Sequence, residues 1–333
     1  MTKPPPESFP LSATSAATAR PAGGSWRSRV VVATIVLATF LALALADARG
    51  LGGAMPAWWL LPVTLVLAVG GVDEMAALFA ARDLPLPGWL LRPAAVAVVL
   101  AAALGAQASL RPAIPTSGQT AVDWAPMGWP AVAYAVAVGS LFVLEIVRYR
   151  PHGRSIDRIA AGCLVVAYIG LPLAFMVGLR LLCVENLGPE QTGRGHLGIV
   201  PLASLVAVVK AGDIAAYAVG SLAGRHRMAP ALSPGKTWEG AVASLAASIA
   251  AACAVPTVAG SGLPSQPWGG WLLFGAAVGV AGMVGDLAES LLKREAGAKD
   301  SGRSLGGLGG VLDLVDSLLF AAPVAWLLWT LGR

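Results

Sequence analysis

Four aspartates lie where an apolar chain has little reason to keep them. Asp213 falls inside KAGDIAAY (210–217), Asp286 inside GDLAESLLKR (285–294), and Asp313 and Asp316 begin the last apolar run. An ionisable group at membrane depth is costly and by default marks a site. Lys210 and Asp213 are three apart and share a helix face. That spacing suits a self-neutralising pair, a metal ligand or a phosphate contact. Asp286, Glu289, Ser290 and Lys293 recur at helical spacing as one polar stripe. A solvated helix end carries such a stripe too, but Asp286 still belongs to the apolar run. Lys299 and Asp300 precede a turn with Gly306, Gly307, Gly309 and Gly310, after which Asp313 and Asp316 stand three apart. Glycines let the backbone approach a phosphate or metal closely. Carboxylates so spaced suit Mg²⁺, which takes one or two of them together with substrate phosphate oxygens.

A further polar stretch is RHRMAPALSPGKTWEG (225–240). Ser233, Pro234 and Gly235 predict a turn, and Lys236, Thr237 and Glu239 the opening of a helix, where free N–H groups and the helix dipole favour an anion. It is not a P-loop, because Pro230 stands where that motif needs its first glycine. A different phosphate cradle and a well-capped basic loop both stay open.

The elements that must position these groups are membrane helices. The 333 residues are 56% hydrophobic and 12% charged, against roughly 25% charged in soluble proteins. Apolar runs recur at Val30–Ala46, Ala57–Ala81, Pro93–Ala108, Pro130–Val147, Ile159–Leu182, Leu197–Leu222, Trp238–Val258, Trp268–Leu287 and Val311–Leu331. About 20 apolar residues cross the hydrocarbon core, so the expected architecture is all-α and polytopic with about nine transmembrane helices. Arg27 and Arg29 before the first run and Ala44-Leu45-Ala46 at its end also fit a signal peptide; the long polar stretch before it and the odd span count favour a retained helix. Residues 1–25 read as a disordered tail, residues 26–196 as N-terminal helices and residues 197–333 as the part that carries the chemistry.

With the N-terminus inside, the Lys and Arg residues concentrate on the inner side. Of 23, only Arg49, Arg111, Arg180, Arg194 and Arg333 fall outside, and Lys210 lies within a span. This is the asymmetry expected of a cytoplasmic face. Trp58, Trp59, Trp89, Trp124, Trp129 and Trp268 sit near span ends, as interfacial aromatics do. The net charge of +5 therefore reads as topology rather than nucleic-acid binding. Cys163, Cys183 and Cys253 are scattered and read as small buried hydrophobes.

Under this topology all four polar stretches reach the inner surface. Aspartates able to hold a divalent cation, beside lysines and arginines able to neutralise polyphosphate, describe phosphoryl or nucleotidyl transfer. No soluble nucleotide fold is present, so a lipid is the expected second substrate.

Residues 290–316 resemble the signature of the phosphatidate cytidylyltransferases (CDP-diacylglycerol synthases). That pattern runs S-x-apolar-K-R-x4-K-D-x-G, then a glycine turn containing histidine, then D-R-x-D. Ser290, Lys293, Arg294, Lys299, Asp300, Gly302, Gly309, Gly310, Asp313 and Asp316 match it in register. LSPGKTWEG and GDIAAYAVG are similar to two further motifs of that family, all within about the last 120 residues. The resemblance implies that CTP and phosphatidic acid give CDP-diacylglycerol and pyrophosphate with Mg²⁺. It implies Asp286, Asp313, Asp316 and Asp213 as metal ligands, with Asp286, Asp313 and Lys293 at the catalytic centre. Lys293, Arg294 and Lys299 would contact the CTP phosphates; Ser233, Lys236 and Thr237 would bind phosphate, and Trp238 and Glu239 would shape that site. Ser290 and Asp300 would lie on the substrate side. Implied partners are CTP, phosphatidic acid and membrane lipid, with a homodimer compatible and nucleic acid not expected. The implied place is the cell inner membrane, with the active site facing the cytoplasm.

Two residues depart from the signature: its histidine is Leu308 and its arginine is Leu314. Neither leucine carries charge, which leaves a divergent, non-catalytic relative as an alternative. A CDP-alcohol phosphotransferase fits poorly, because Asp313 and Asp316 are one residue too close for its pattern. A transporter using Lys210 and Asp213 is the remaining alternative, although no internal repeat is visible.

Overall fold

The computed structural model describes residues 57–109, 125–151, 153–182, 198–260, 265–298 and 309–332, with residues 38–39, 42–47, 49, 263 and 302 besides. Among them, eight helices are long and apolar enough to cross a membrane. The first four are α1 (Leu61–Ala80), α2 (Gly88–Ser109), α3 (Ala125–Val147) and α4 (Ser155–Leu181). The others are α5 (Val200–Ala223), α6 (Trp238–Ala259), α7 (Gly270–Glu295) and α8 (Val311–Leu331). At 1.5 Å per residue, even the 20-residue α1 reaches about 30 Å, the depth of the hydrocarbon core. The expected first span, Val30–Ala46, lies mostly outside the described residues, although residues 42–47 at its end are helical. The expected tail, 1–25, lies outside them as well.

Three boundaries differ from the apolar runs in ways that matter. The third run starts five residues earlier, at Gly88, and Pro93 lies inside α2 as its sixth residue at the cost of one intrahelical bond. The run Trp268–Leu287 continues as helix to Glu295, so Asp286, Glu289 and Lys293 ride one unbroken helix. Between α5 and α6 the chain forms a hairpin, β1 (Arg227–Ala229) and β2 (Ser233–Thr237), antiparallel with an irregularity between its two pairs. The expected turn at 233–235 and helix start at Lys236 are thus corrected. Ser233 to Thr237 are extended, Leu232 N–H donates to the Ala229 carbonyl in the turn before them, and the helix starts at Trp238. Thr237 caps it: its Oγ1 accepts from Gly240 N–H at 3.1 Å.

Helix α8 is the trunk of the bundle. It packs against α1, α4, α5 and α7, and 67% of its span is buried, against 17% for the peripheral α6. Small residues bring the C-terminal helices close, as in other membrane bundles. A Cβ on Gly285 of α7 would meet the Asp316 carbonyl at 2.6 Å, and one on Gly212 of α5 would meet Ser248 and Ser244 of α6 at 2.6 and 2.8 Å. Ser248 Oγ donates to the Val208 carbonyl at 3.1 Å, fastening α6 to α5. Trp58, Trp89, Trp129 and Trp268 are more than half exposed near helix starts, as interfacial rings should be.

Several charges of the N-terminal helices pair with one another. Arg158 on α4 grips Glu145 of α3 through Nε (2.8 Å) and Nη2 (2.6 Å). Arg92 of α2 reaches Asp73 of α1 at 2.6 Å. Arg180, assigned above to the outer side, is buried inside α4, where it pairs with the equally buried Asp47.

Candidate active site

Helices α5 and α7 end, and α6 and α8 begin, at the same end of the bundle. Antiparallel connection through short links forces that arrangement, and there the four helices and the hairpin enclose a cleft of about 710 Å³. Its acidic lining is Asp213 from α5, Asp286 and Glu289 from α7, and Asp313 and Asp316 from α8; its lysines are Lys210, Lys236 and Lys293. Asp213, Asp286, Asp313 and Asp316, more than a hundred positions apart at the extremes, therefore meet in one space.

Helix α7 sets one wall. Its stripe places Lys293 Nζ between two carboxylates, 2.9 Å from Glu289 Oε2 and 2.7 Å from Asp313 Oδ1. Glu289 is almost wholly buried, and its other oxygen, Oε1, has no hydrogen-bond partner. A buried carboxylate oxygen left open is costly, unless a donor or cation arrives. The hairpin sets the opposite wall. Lys236 Nζ lies 2.9 Å from Asp286 Oδ2, an ion pair by distance that lacks hydrogen-bond alignment. Arg294 Nε donates to the Leu232 carbonyl at 3.1 Å and so ties α7 to the hairpin turn.

Helix α8 supplies the floor. Its first turn begins after Gly309, whose φ of +95° suits glycine. Asp313 Oδ2 accepts from Gly310 N–H at 2.6 Å, a reach-back cap that fixes the side chain. Asp316 Oδ1 accepts from Ser317 N–H at 2.6 Å, and Ser317 Oγ lies 3.2 Å from Asp316 Oδ1 and 3.5 Å from Asp213 Oδ1. Ser317 thus links the acidic groups of α5 and α8. Lys210 Nζ donates to Asp213 at 3.2 Å and to the carbonyl of Leu314 at 3.3 Å. A lysine from α5 therefore reaches the backbone at the position where the signature carries arginine.

The remaining expected residues divide. Ser233 and Thr237 line the cleft with Lys236. Glu239 does not: it accepts from His226 N–H and faces His226 Nδ1 at 2.6 Å, bracing the hairpin against α6. Ser290 and Arg294 also lie outside the cleft lining. Lys299, Asp300 and Leu308 fall outside the described residues. Glu289 and Ser317 line the cleft without having been assigned a role from the sequence. Glu289 stands in the polar stripe of α7, and Ser317 follows Asp316, but a serine beside a helix-borne aspartate carries no signal of its own.

Among the described residues no three His, Cys, Asp or Glu side chains are grouped so as to hold a metal ion. Lysine ammonium groups pair with Asp286, Asp313 and Glu289. The donor set is all oxygen, which suits Mg²⁺, and the open oxygen of Glu289 is a group that a cation would satisfy.

Comparison with known proteins gives the family. The model of the cytidylyltransferase family matches residues 27–331. The phosphatidate cytidylyltransferase of Brucella suis biovar 1 (strain 1330) is 36% identical over 210 residues, covering 60% of this chain and 72% of that protein. The phosphatidate cytidylyltransferase of Mycobacterium bovis (strain ATCC BAA-935 / AF2122/97) is 38% identical over 163 residues, 49% of this chain and 48% of that protein. That of Mycobacterium leprae (strain TN) is 42% identical over 128 residues, 38% and 39% of the two chains. The match runs through both the N-terminal helices and those that line the cleft, and the chain belongs to the cytidylyltransferase family.

Proposed function

We propose that this chain transfers the cytidylyl group of CTP to phosphatidic acid, giving CDP-diacylglycerol and pyrophosphate, in a metal-dependent reaction at the cytoplasmic face of the cell inner membrane. The observation that carries the reading is the single cleft into which α5, α7 and α8 deliver acidic groups beside three lysines. A triphosphate needs that much positive charge to bind near carboxylates, and a lipid phosphate reaches it from a site at the end of membrane helices. The concentration of Lys and Arg on the cleft side supports the cytoplasmic orientation.

In the reaction an oxygen of the lipid phosphate attacks the α-phosphorus of CTP. The bond from that phosphorus to the β-phosphate bridging oxygen breaks, and pyrophosphate leaves with its electrons. An ionised phosphate needs no general base, so the chain's task is to position and neutralise. Lys236 approaches from the hairpin and Lys293 from α7, and both exchange a carboxylate partner for a phosphate oxygen when CTP binds. Lys210 holds Asp213 and the backbone at Leu314. One or two of Asp213, Asp286, Asp313 and Asp316 would hold Mg²⁺. When bound, the cation supplies charge neutralisation at the phosphates. Every group invoked belongs to one chain.

Purified protein in mixed micelles with labelled CTP and phosphatidic acid should form labelled lipid, and EDTA should stop it until Mg²⁺ is restored. Folded protein that forms no labelled lipid under saturating CTP would sink the reading. Leu308 and Leu314 favour one second reading, a relative without turnover. Leu308→His separates the two: a chain that gains activity only on this substitution belongs to the second.

A further inference from the structure

One buried carboxylate outside the cleft connects the two halves of the molecule. Glu74 lies two-thirds along α1 and is only 6% exposed. A carboxylate so placed needs compensation, and both of its oxygens have it. Oε1 accepts from Val311 N–H at 2.8 Å and Oε2 from Leu312 N–H at 2.9 Å. These are first-turn amides of α8, which have no partner within their own helix, and negative charge at that end is favourable. The preceding amide, Gly310 N–H, goes to Asp313 Oδ2. Three consecutive amides are thus held by two carboxylates, one from α1 and one from α8 itself. The approach is close: a Cβ on Gly70, one turn before Glu74, would press on the Val311 side chain at 2.8 Å. A Cβ on Gly302 would meet the Glu74 carboxylate.

We propose that Glu74 is a positioning residue for cytidylyl transfer. By capping α8 from α1 it fixes the first turn of that helix, and with it the side chain of Asp313. Glu74 does not line the cleft and acts only through α8. The proposal rests on the reaction proposed above and assigns a task in it to the N-terminal half of the chain.

The test is Glu74→Gln in the full-length protein, read by kinetics and by amide hydrogen exchange. Glutamine keeps the shape and one acceptor oxygen but turns an NH₂ toward the second amide. Turnover should fall about tenfold or more, as expected when a catalytic carboxylate is misplaced, while KM for CTP stays within about threefold. Exchange at the amides of residues 310–312 should accelerate, and the melting temperature should change little. Gly302→Ala, which leaves Glu74 in place but crowds its carboxylate, should lower turnover in the same direction even where Glu74→Gln folds poorly. Full turnover in both variants would overturn the positioning role. So would a loss of turnover that merely tracks the loss of folded protein with exchange unchanged. Inactivity of the wild-type chain would overturn the reaction itself, whereas unchanged exchange in Glu74→Gln would overturn the cap whatever the activity.

Discussion

The two halves of the bundle arrange their ion pairs differently. In the N-terminal helices the charges pair two by two: Asp47 with Arg180 in the interior, Glu145 with Arg158 partly buried, and Asp73 with Arg92 and Arg154 with Asp157 at the surface. In the C-terminal helices five carboxylates and three lysines border one open cleft. Pairing two charges recovers part of their desolvation cost, although Asp47 Oδ1 and Arg180 Nη1 keep no hydrogen-bond partner among the described residues. Arraying them around accessible space leaves partners that a polyphosphate or cation can exchange. The same residue types thus build scaffold in one half and a reactive surface in the other, and the distinction lies in whether the pairs stand apart or share one space.

Substitutions can break that contrast. Asp313→Asn should have the largest effect, lowering labelled-CTP incorporation into lipid by about a thousandfold while leaving the thermal midpoint near wild type. A variant with retained turnover would mean that the α8 carboxylate is scaffold after all. Arg180→Ala should do the reverse. It strands Asp47 in the interior and should cost about 3 kcal/mol of stability, measured by denaturation in detergent, with activity per folded molecule unchanged. Asp47→Leu combined with Arg180→Met should restore most of that stability; failure to do so would show that the pair does more than neutralise itself. Lys236→Met should raise KM for CTP about tenfold, the scale of one charge-assisted hydrogen bond, with a smaller effect on kcat. An unchanged KM would remove the hairpin from nucleotide binding. Arg92→Ala marks the lower end: its pair with Asp73 is half exposed, and such pairs contribute about 0.5 kcal/mol.

Much of this division is legible in the sequence. Apolar runs of spanning length locate α1 and α3 to α8 to within several residues, and charged side chains inside those runs point to Asp213, Asp286, Asp313 and Asp316. Helical spacing alone links Asp286, Glu289 and Lys293. What stays hidden is pairing across helices. Glu74 and Val311 are 237 positions apart, and nothing local to either announces the other, although a carboxylate in the apolar run of α1 is itself a signal. The hairpin is hidden for a different reason. β2 contains Pro234 and Gly235, both poor strand formers, and its extended shape comes from pairing with three residues of β1. Glu239 misleads in a similar way, because a carboxylate beside Lys236 along the chain turns toward His226 in space.

The contrast between α8 and α6 has a mechanical consequence. The cleft has its floor built into the most enclosed of the described helices and one side on the most peripheral of them. Deforming the first would disturb four neighbouring helices, whereas the second, with the hairpin at its head, packs closely on α5 and α7 alone. Strain applied on the hairpin side therefore passes to two helices, and strain applied at the acidic floor to four.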